Sequence, residues 1–235
     1  NELAFAPVDY APGAAVDAGQ VQGDSLLAIH YLNLGAGGSV TLHGQGGADT
    51  VVARGTAGDD QLTVAAVSGA VSRTTGYGVH VPLLRTDATG EFLTLDSLEG
   101  NDDFTLNLPQ PYVTVTALGG GPGNSDVLTI NDEAGVADVL EVNTGFAPGE
   151  GSVEVNGGPQ TLDFVGVEHI VLLASGDVGD SLEIEDDLAD NLWQVFSGPI
   201  FGDRVQIDNR ETYDYAGFDS VELDNDFGSD VFRIY

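Results

Sequence analysis

The residues with the most chemical potential in this chain are aspartates that follow a glycine and precede alternating apolar side chains. Gly58-Asp59-Asp60-Gln61-Leu62-Thr63-Val64 is the type: a turn glycine, an acidic pair, then a strand with Leu62 and Val64 on one face. The pattern recurs at Asp24, Asp49, Asp60, Asp102, Asp126, Asp138, Asp180, Asp203 and Asp230. Turn carboxylates do two kinds of chemistry. They accept backbone N–H groups and so close the turn, which is the simpler reading of any one of them. Stacked on strands about 4.8 Å apart they also repel one another. A hard cation such as Ca²⁺, which takes roughly six to eight oxygen ligands, converts that repulsion into cross-linking. With Asp59 beside Asp60 and Asp103 beside Asp102, the candidate metal ligands are the nine motif aspartates and these two neighbours.

The steps from one motif aspartate to the next are 25, 11 and 42, then 24, 12 and 42, then 23 and 27. The register therefore returns at every third step. Asp24, Asp102 and Asp180 are 78 apart, and Asp49, Asp126 and Asp203 are 77 apart. A second feature keeps step with it: Gly166-Val167-Glu168-His169-Ile170, Gly217-Phe218-Asp219-Ser220-Val221 and the shorter Gly90-Glu91-Phe92-Leu93 each precede a motif aspartate. The spacing divides the chain into a partial repeat (1–48), two repeats (49–125 and 126–202) and a shortened one (203–235). Both ends fall inside a repeat, as expected of a piece of a longer array or of a protomer whose ends stack on its neighbours.

The elements that must position these acids are strands. In Asp126-Val127-Leu128-Thr129-Ile130 and Asp138-Val139-Leu140-Glu141-Val142 the apolar residues alternate with polar ones, the period of a half-buried strand. No 12-residue stretch carries a helical apolar face free of Gly or Pro. The 33 glycines supply turns. The expected fold is therefore all-β, a parallel β-solenoid resembling a β-helix and forming one continuous domain, since a single coil cannot bury its apolar face alone. Tandem β-sandwich repeats are the alternative.

Gly44-Gln45-Gly46-Gly47-Ala48-Asp49-Thr50-Val51 and Gly119-Gly120-Gly121-Pro122-Gly123-Asn124-Ser125-Asp126-Val127-Leu128 resemble the glycine-aspartate repeats of secreted RTX (hemolysin-type) calcium-binding proteins. In that family a nonapeptide recurs in tandem and forms a Ca²⁺-dependent parallel β-roll. Here the motifs are more widely and unevenly spaced, and most lack the double glycine. The longer unit is similar to the tandem segments of giant bacterial surface proteins and adhesins.

Composition narrows the partners. The net charge is −32, from 38 acidic residues against 6 basic ones, all arginine. Such a surface repels nucleic acid and anionic lipid. No stretch approaches the roughly 20 apolar residues of a membrane span. Cysteine and methionine are absent. The four histidines (His30, His43, His80, His169) share no metal-ligand spacing, and no P-loop, dinucleotide or nucleophile-elbow motif is present. A β-helix polysaccharide lyase or hydrolase could draw on Asp59, Asp60, Asp102 and Asp103, but a catalytic pair belongs to one place, whereas these acids recur. The expected function is structural or adhesive: an extracellular or cell-surface segment of a surface layer, sheath, filament or adhesin, stabilised by Ca²⁺ and not an enzyme. Its expected partners are copies of itself, stacked head to tail or within a longer array, and surface polysaccharide.

Overall fold

The structure, a computed structural model, describes residues 8–23, 27–35, 37–42, 48–76, 78–85, 91–121, 125–157, 160–186, 191–198, 202–208, 210–225 and 231–235. Asp24 and Asp230 lie outside them. Among the described residues there is no helix, and 23 strands make two large mixed sheets.

The alternation that predicts strands also dictates which residues they bury. In the first sheet β1 (Val8–Pro12), β2 (Gly19–Gly23) and β3 (Ile29–Tyr31) form an antiparallel meander. β4 (Val40–Leu42) belongs to the second sheet and β5 (Thr50–Arg54) to the first. β6 (Gln61–Val64), β7 (Val71–Thr75), the short β8 (Gly78–Val79) and β9 (Leu83–Arg85) make a meander in the second sheet. The chain then alternates, with β10 (Phe92–Asp96) in the first sheet, β11 (Asp103–Asn107) in the second, β12 (Thr114–Leu118) in the first and β13 (Val127–Asn131) in the second.

A third meander, β14 (Val139–Thr144), β15 (Glu150–Val155) and β16 (Thr161–Val165), lies in the first sheet. It is followed by β17 (His169–Leu173) in the second and β18 (Ser181–Asp186) in the first. The last meander, β19 (Leu192–Gly198), β20 (Gly202–Ile207) and β21 (Thr212–Ala216), is in the second sheet. β22 (Ser220–Asn225) then closes the first sheet and β23 (Val231–Ile234) the second.

Outside the meanders every pairing is parallel and in register. Leu93 of β10, for example, has Val51 on one side and Val115 on the other. One residue in two faces inward, and the inward side chains of both sheets form a single cluster that includes Leu62, Leu95, Phe104, Val115, Leu128, Leu140, Ile170 and Trp193. Each is 0 % exposed, so the motif's alternating apolar residues are the core itself.

The molecule is internally duplicated. The meander β1–β3 matches β14–β16: Gly13 N–H donates to Ala18 O in the first, and at the equivalent turn of the second Gly145 N–H donates to Glu150 O. Gly19 lies under Tyr31 as Gly151 lies under Phe164, in both cases because a Cβ there would overlap the ring. The rest of the half follows in the same order, β4 matching β17, β5 matching β18, β6–β9 matching β19–β21, β10 matching β22 and β11 matching β23. β12 and β13 add one further strand to each sheet between the halves. The shorter period read from the aspartates instead connects turns of opposite sheets in some of its pairs, whereas Asp126 and Asp203 fall in the same sheet. Asp60 opens β6 in the second sheet and Asp138 opens β14 in the first; Asp102 and Asp180 exchange sheets in the same way. The reason is that each of these two stretches spans an odd number of crossings between the sheets.

Candidate functional site

Parallel, in-register stacking puts the residue just before each strand in line with its counterpart on the next strand. Along the second sheet that line is Asp60, Asp102, Asp126, Glu168 and Glu211, the residues preceding β6, β11, β13, β17 and β21. The three middle carboxylates each reach back one strand. Asp60 N–H donates to Asp102 Oδ1 (2.7 Å), Asp102 N–H to Asp126 Oδ1 (2.8 Å) and Asp126 N–H to Glu168 Oε2 (3.0 Å). Glu211 breaks the sequence and accepts from Gly149 N–H at 3.0 Å. The first sheet holds shorter runs. Asp49 N–H donates to Glu91, Asp138 N–H to Asp180 Oδ1 (3.1 Å), and Gly179 N–H to Asp219 Oδ2 (2.7 Å).

The second carboxylate oxygen explains the glycine. Asp60 Oδ2 folds back over its own turn to accept from the Thr56 N–H and hydroxyl, and it lies 2.5 Å from where a Cβ on Gly55 would sit. Asp126 Oδ2 lies 2.6 Å from the corresponding point on Gly119. The glycine that makes room for the acid is thus five or seven residues ahead of it. Gly58, next to the acidic pair, meets only the Thr56 hydroxyl at 3.9 Å.

Asp60, Asp102, Asp126, Asp138 and Asp180 are all buried, at 0 or 1 % exposure. Among the described residues Oδ2 of Asp126 and of Asp180 has no hydrogen-bond partner. Burial pushes the Asp60 and Asp102 carboxyls up from their ordinary value, and it pushes Asp126 up to about 6, with Glu168 and Asp102 adding to the rise. Each is a desolvated carboxylate whose charge is held mainly by backbone dipoles.

The remaining candidates fall elsewhere. Asp59 is exposed and accepts Asn101 N–H at 3.0 Å; Asp103 is exposed and takes the Gln61 amide at 3.3 Å. Asp49 is half-buried at the start of β5. Asp203 is exposed inside β20, an antiparallel strand, and joins neither line of carboxylates.

The donor set decides where Ca²⁺ fits. The buried lines supply one acid per rung, already occupied by an N–H and packed on a glycine, so a cation there would draw its other ligands from turn carbonyls. Among the described residues three carboxylates converge in one place, Glu183 and Glu185 of β18 and Asp224 of β22, with one oxygen from each within 4.8 Å of the others. Glu183 lies in an outward row with Glu141 and Glu222, and burial first, then these two acids, raise its carboxyl. Sequence reasoning passed over Glu183 and Glu185, which follow no glycine, and took Asp224 only as an acid near Asp230. It also passed over Glu91, Glu168, Glu211 and Asp219, although three of these stand in the glycine-acid-strand segments that precede motif aspartates.

A different constellation lies on the second sheet. A cavity of about 330 Å³ is lined by Ser125, Glu168, His169, Arg204, Arg210 and Thr212. Asp214 binds Arg204 through two hydrogen bonds (2.5 and 2.7 Å) and His169 Nε2 at 2.8 Å. Burial pushes the Asp214 carboxyl up, but these partners outweigh it and hold it below its ordinary value. Arg210 donates to the Gly145 and Ala147 carbonyls and so ties the β14–β15 turn to this sheet.

No family model matches the chain, and no match is found among curated proteins or solved structures. No helix among the described residues is long and apolar enough to cross a membrane.

Proposed function

We propose that this chain is a structural segment, a β-solenoid whose coils run between the two sheets, working outside the cell or at its surface. The observation that carries this reading is the hydrogen-bonded line Asp60–Asp102–Asp126–Glu168. Its acids are spent on joining one strand to the next. A catalytic carboxylate needs a free oxygen facing substrate, whereas these are buried and repeated. In this reading Ca²⁺ or another divalent cation offsets the repulsion of the exposed acids, at Asp59 and Asp103 on the turns and at Glu183, Glu185 and Asp224 on the outer face.

Thermal unfolding in Ca²⁺ and in EGTA tests the cation. A higher Tm with Ca²⁺ supports the reading, and replacing Glu183 and Glu185 by Gln separates the outer face from the turns, tested by Asp59→Asn with Asp103→Asn. An unchanged Tm with no bound ion by calorimetry removes the cation from the account.

A second reading, a carbohydrate-active enzyme acting on surface polysaccharide, is favoured by the cluster around Arg204 and Arg210, where Glu168 and the two arginines line a cavity and Asp214 binds Arg204. Asp214 is neutralised there and Glu168 is committed to the Asp126 N–H, which weakens the case for acid–base work. Release of reducing ends or unsaturated sugars from acidic polysaccharides, abolished by Arg204→Leu, would establish it.

A further inference from the structure

The duplication allows the same position to be compared at an inner and an outer strand. β10 and β11 are covered by β12 and β13, and their inward residues Leu93, Leu95, Phe104 and Leu106 are at most 1 % exposed. Their equivalents on β22 and β23 include Val221 at 37 %, Phe232 at 44 % and Ile234 at 84 % exposure. At the opposite end Ile29 of β3 is 70 % exposed, while its equivalent Leu162 of β16, which packs on β12, is 0 % exposed. Tyr31 of β3 and Val40 and Leu42 of β4 are only partly buried. The difference within each pair is one covering coil. Among the described residues, β3 and β4 at one end and β22 and β23 at the other therefore have no strand beyond them and leave a slice of core uncovered.

We propose that a second copy of this chain covers these edges, with β22 of one copy adding to β3 of the next and β23 adding to β4. The proposal rests on the solenoid reading above and extends it by naming the register. Within each sheet the two edge strands point the same way, because each is linked to its neighbours by parallel pairs or by a three-strand meander. The molecule's own junction supplies the alignment: Leu93–Val115–Leu162 on one sheet and Phe104–Leu128–Ile170 on the other. Transferred to the ends, it sets Val221 beside Ile29, Leu223 beside Tyr31, Phe232 beside Val40 and Ile234 beside Leu42. It also sets His30 against Glu222, both outward and exposed. His30 occupies the place of Asp163 in the inner meander, so in a chain of net charge −32 the edge that must meet an acid carries an imidazole. The contact is heterologous, so each copy keeps one free edge and the stack grows into a filament.

The chain has no cysteine, which gives a clean test. His30→Cys and Glu222→Cys proteins are mixed and oxidised in Ca²⁺ at moderate salt, alongside each variant alone and sedimentation of the unmodified chain. Adjacent parallel strands bring paired Cα atoms within disulfide reach. The expected result is a covalent dimer several-fold more abundant in the mixture than with either variant alone, and a wild-type mass that rises with concentration. Equal dimer yields from a single variant would mean a two-fold contact and overturn the proposal. So would a monomer at every concentration without cross-linking, the outcome if a coil of another protein covers these edges. Amide protection at Asp60 and Asp102, measured on the same sample, separates the two failures: a protected monomer sinks the stacking and leaves the solenoid reading standing.

Discussion

The main-chain N–H of Asp102 donates 2.8 Å to the carboxylate of Asp126, the residue at the same place one strand further along the sheet. Asp60 stands in the same relation to Asp102. A side chain at the mouth of one turn thereby fixes the stacking of the neighbouring strand, so the acid is a structural link before it is anything else.

Removing one link leaves a buried N–H without an acceptor. Asp102→Ala should cost about 1–3 kcal/mol, since the buried Asp60 amide loses its partner. Asp103→Ala, one residue on but exposed, should change stability by no more than about 0.5 kcal/mol. Urea unfolding of the two variants gives the comparison.

Acid should stabilise the protein over a defined window. Asp60, Asp102 and Asp126 have raised folded-state pKa values, so the folded chain binds their protons more readily than the unfolded chain. Their contribution is full below the ordinary carboxylate value of 3.8 and is lost as pH rises through about 6 for Asp126. Asp214, depressed by Arg204 and His169, works the other way and loses its contribution only as pH falls below 3.8. Urea midpoints should therefore rise from pH about 7 to about 5, and Asp126→Asn should flatten part of that rise while keeping the Oδ1 acceptor.

Two glycines with positive φ separate strain from space. A Cβ on Gly120 (φ 77°) would land on the Leu98 carbonyl oxygen, whereas one on Gly135 (φ 89°) meets nothing within 4 Å. Gly135→Ala should cost about 1–2 kcal/mol from backbone strain alone. Gly120→Ala should cost clearly more, because the turns after β10 and β12 must also move apart. The difference in Tm between the two variants is the readout.

The strands were legible in the sequence because a two-residue period over Val, Leu, Ile and Thr means the same thing on any sheet. Which sheet a strand joins was not. Gly202-Asp203-Arg204-Val205 matches the motif as well as Gly58 to Leu62 does, yet β20 runs antiparallel within its sheet and leaves Asp203 exposed. The local pattern encodes a turn and a buried face, while the meanders depend on how far the chain runs before it turns. The acids were legible as a series, but Glu168 reaches the Asp126 amide as well as an aspartate would. A search fixed on aspartate misses it. The pairing of Asp126 with Gly119, seven residues earlier, emerges only once the turn is closed in three dimensions.

The central claim is that turn acids link successive strands through their amides. Residue-resolved hydrogen exchange on the native chain tests it most directly. The account predicts that the Asp60, Asp102, Asp126 and Asp138 amides exchange as slowly as the core strands beside them, while the exposed Gly58, whose amide meets only the Thr56 hydroxyl at 3.3 Å, exchanges at the rate of an open loop. Exchange of the four aspartate amides at loop rates would contradict it.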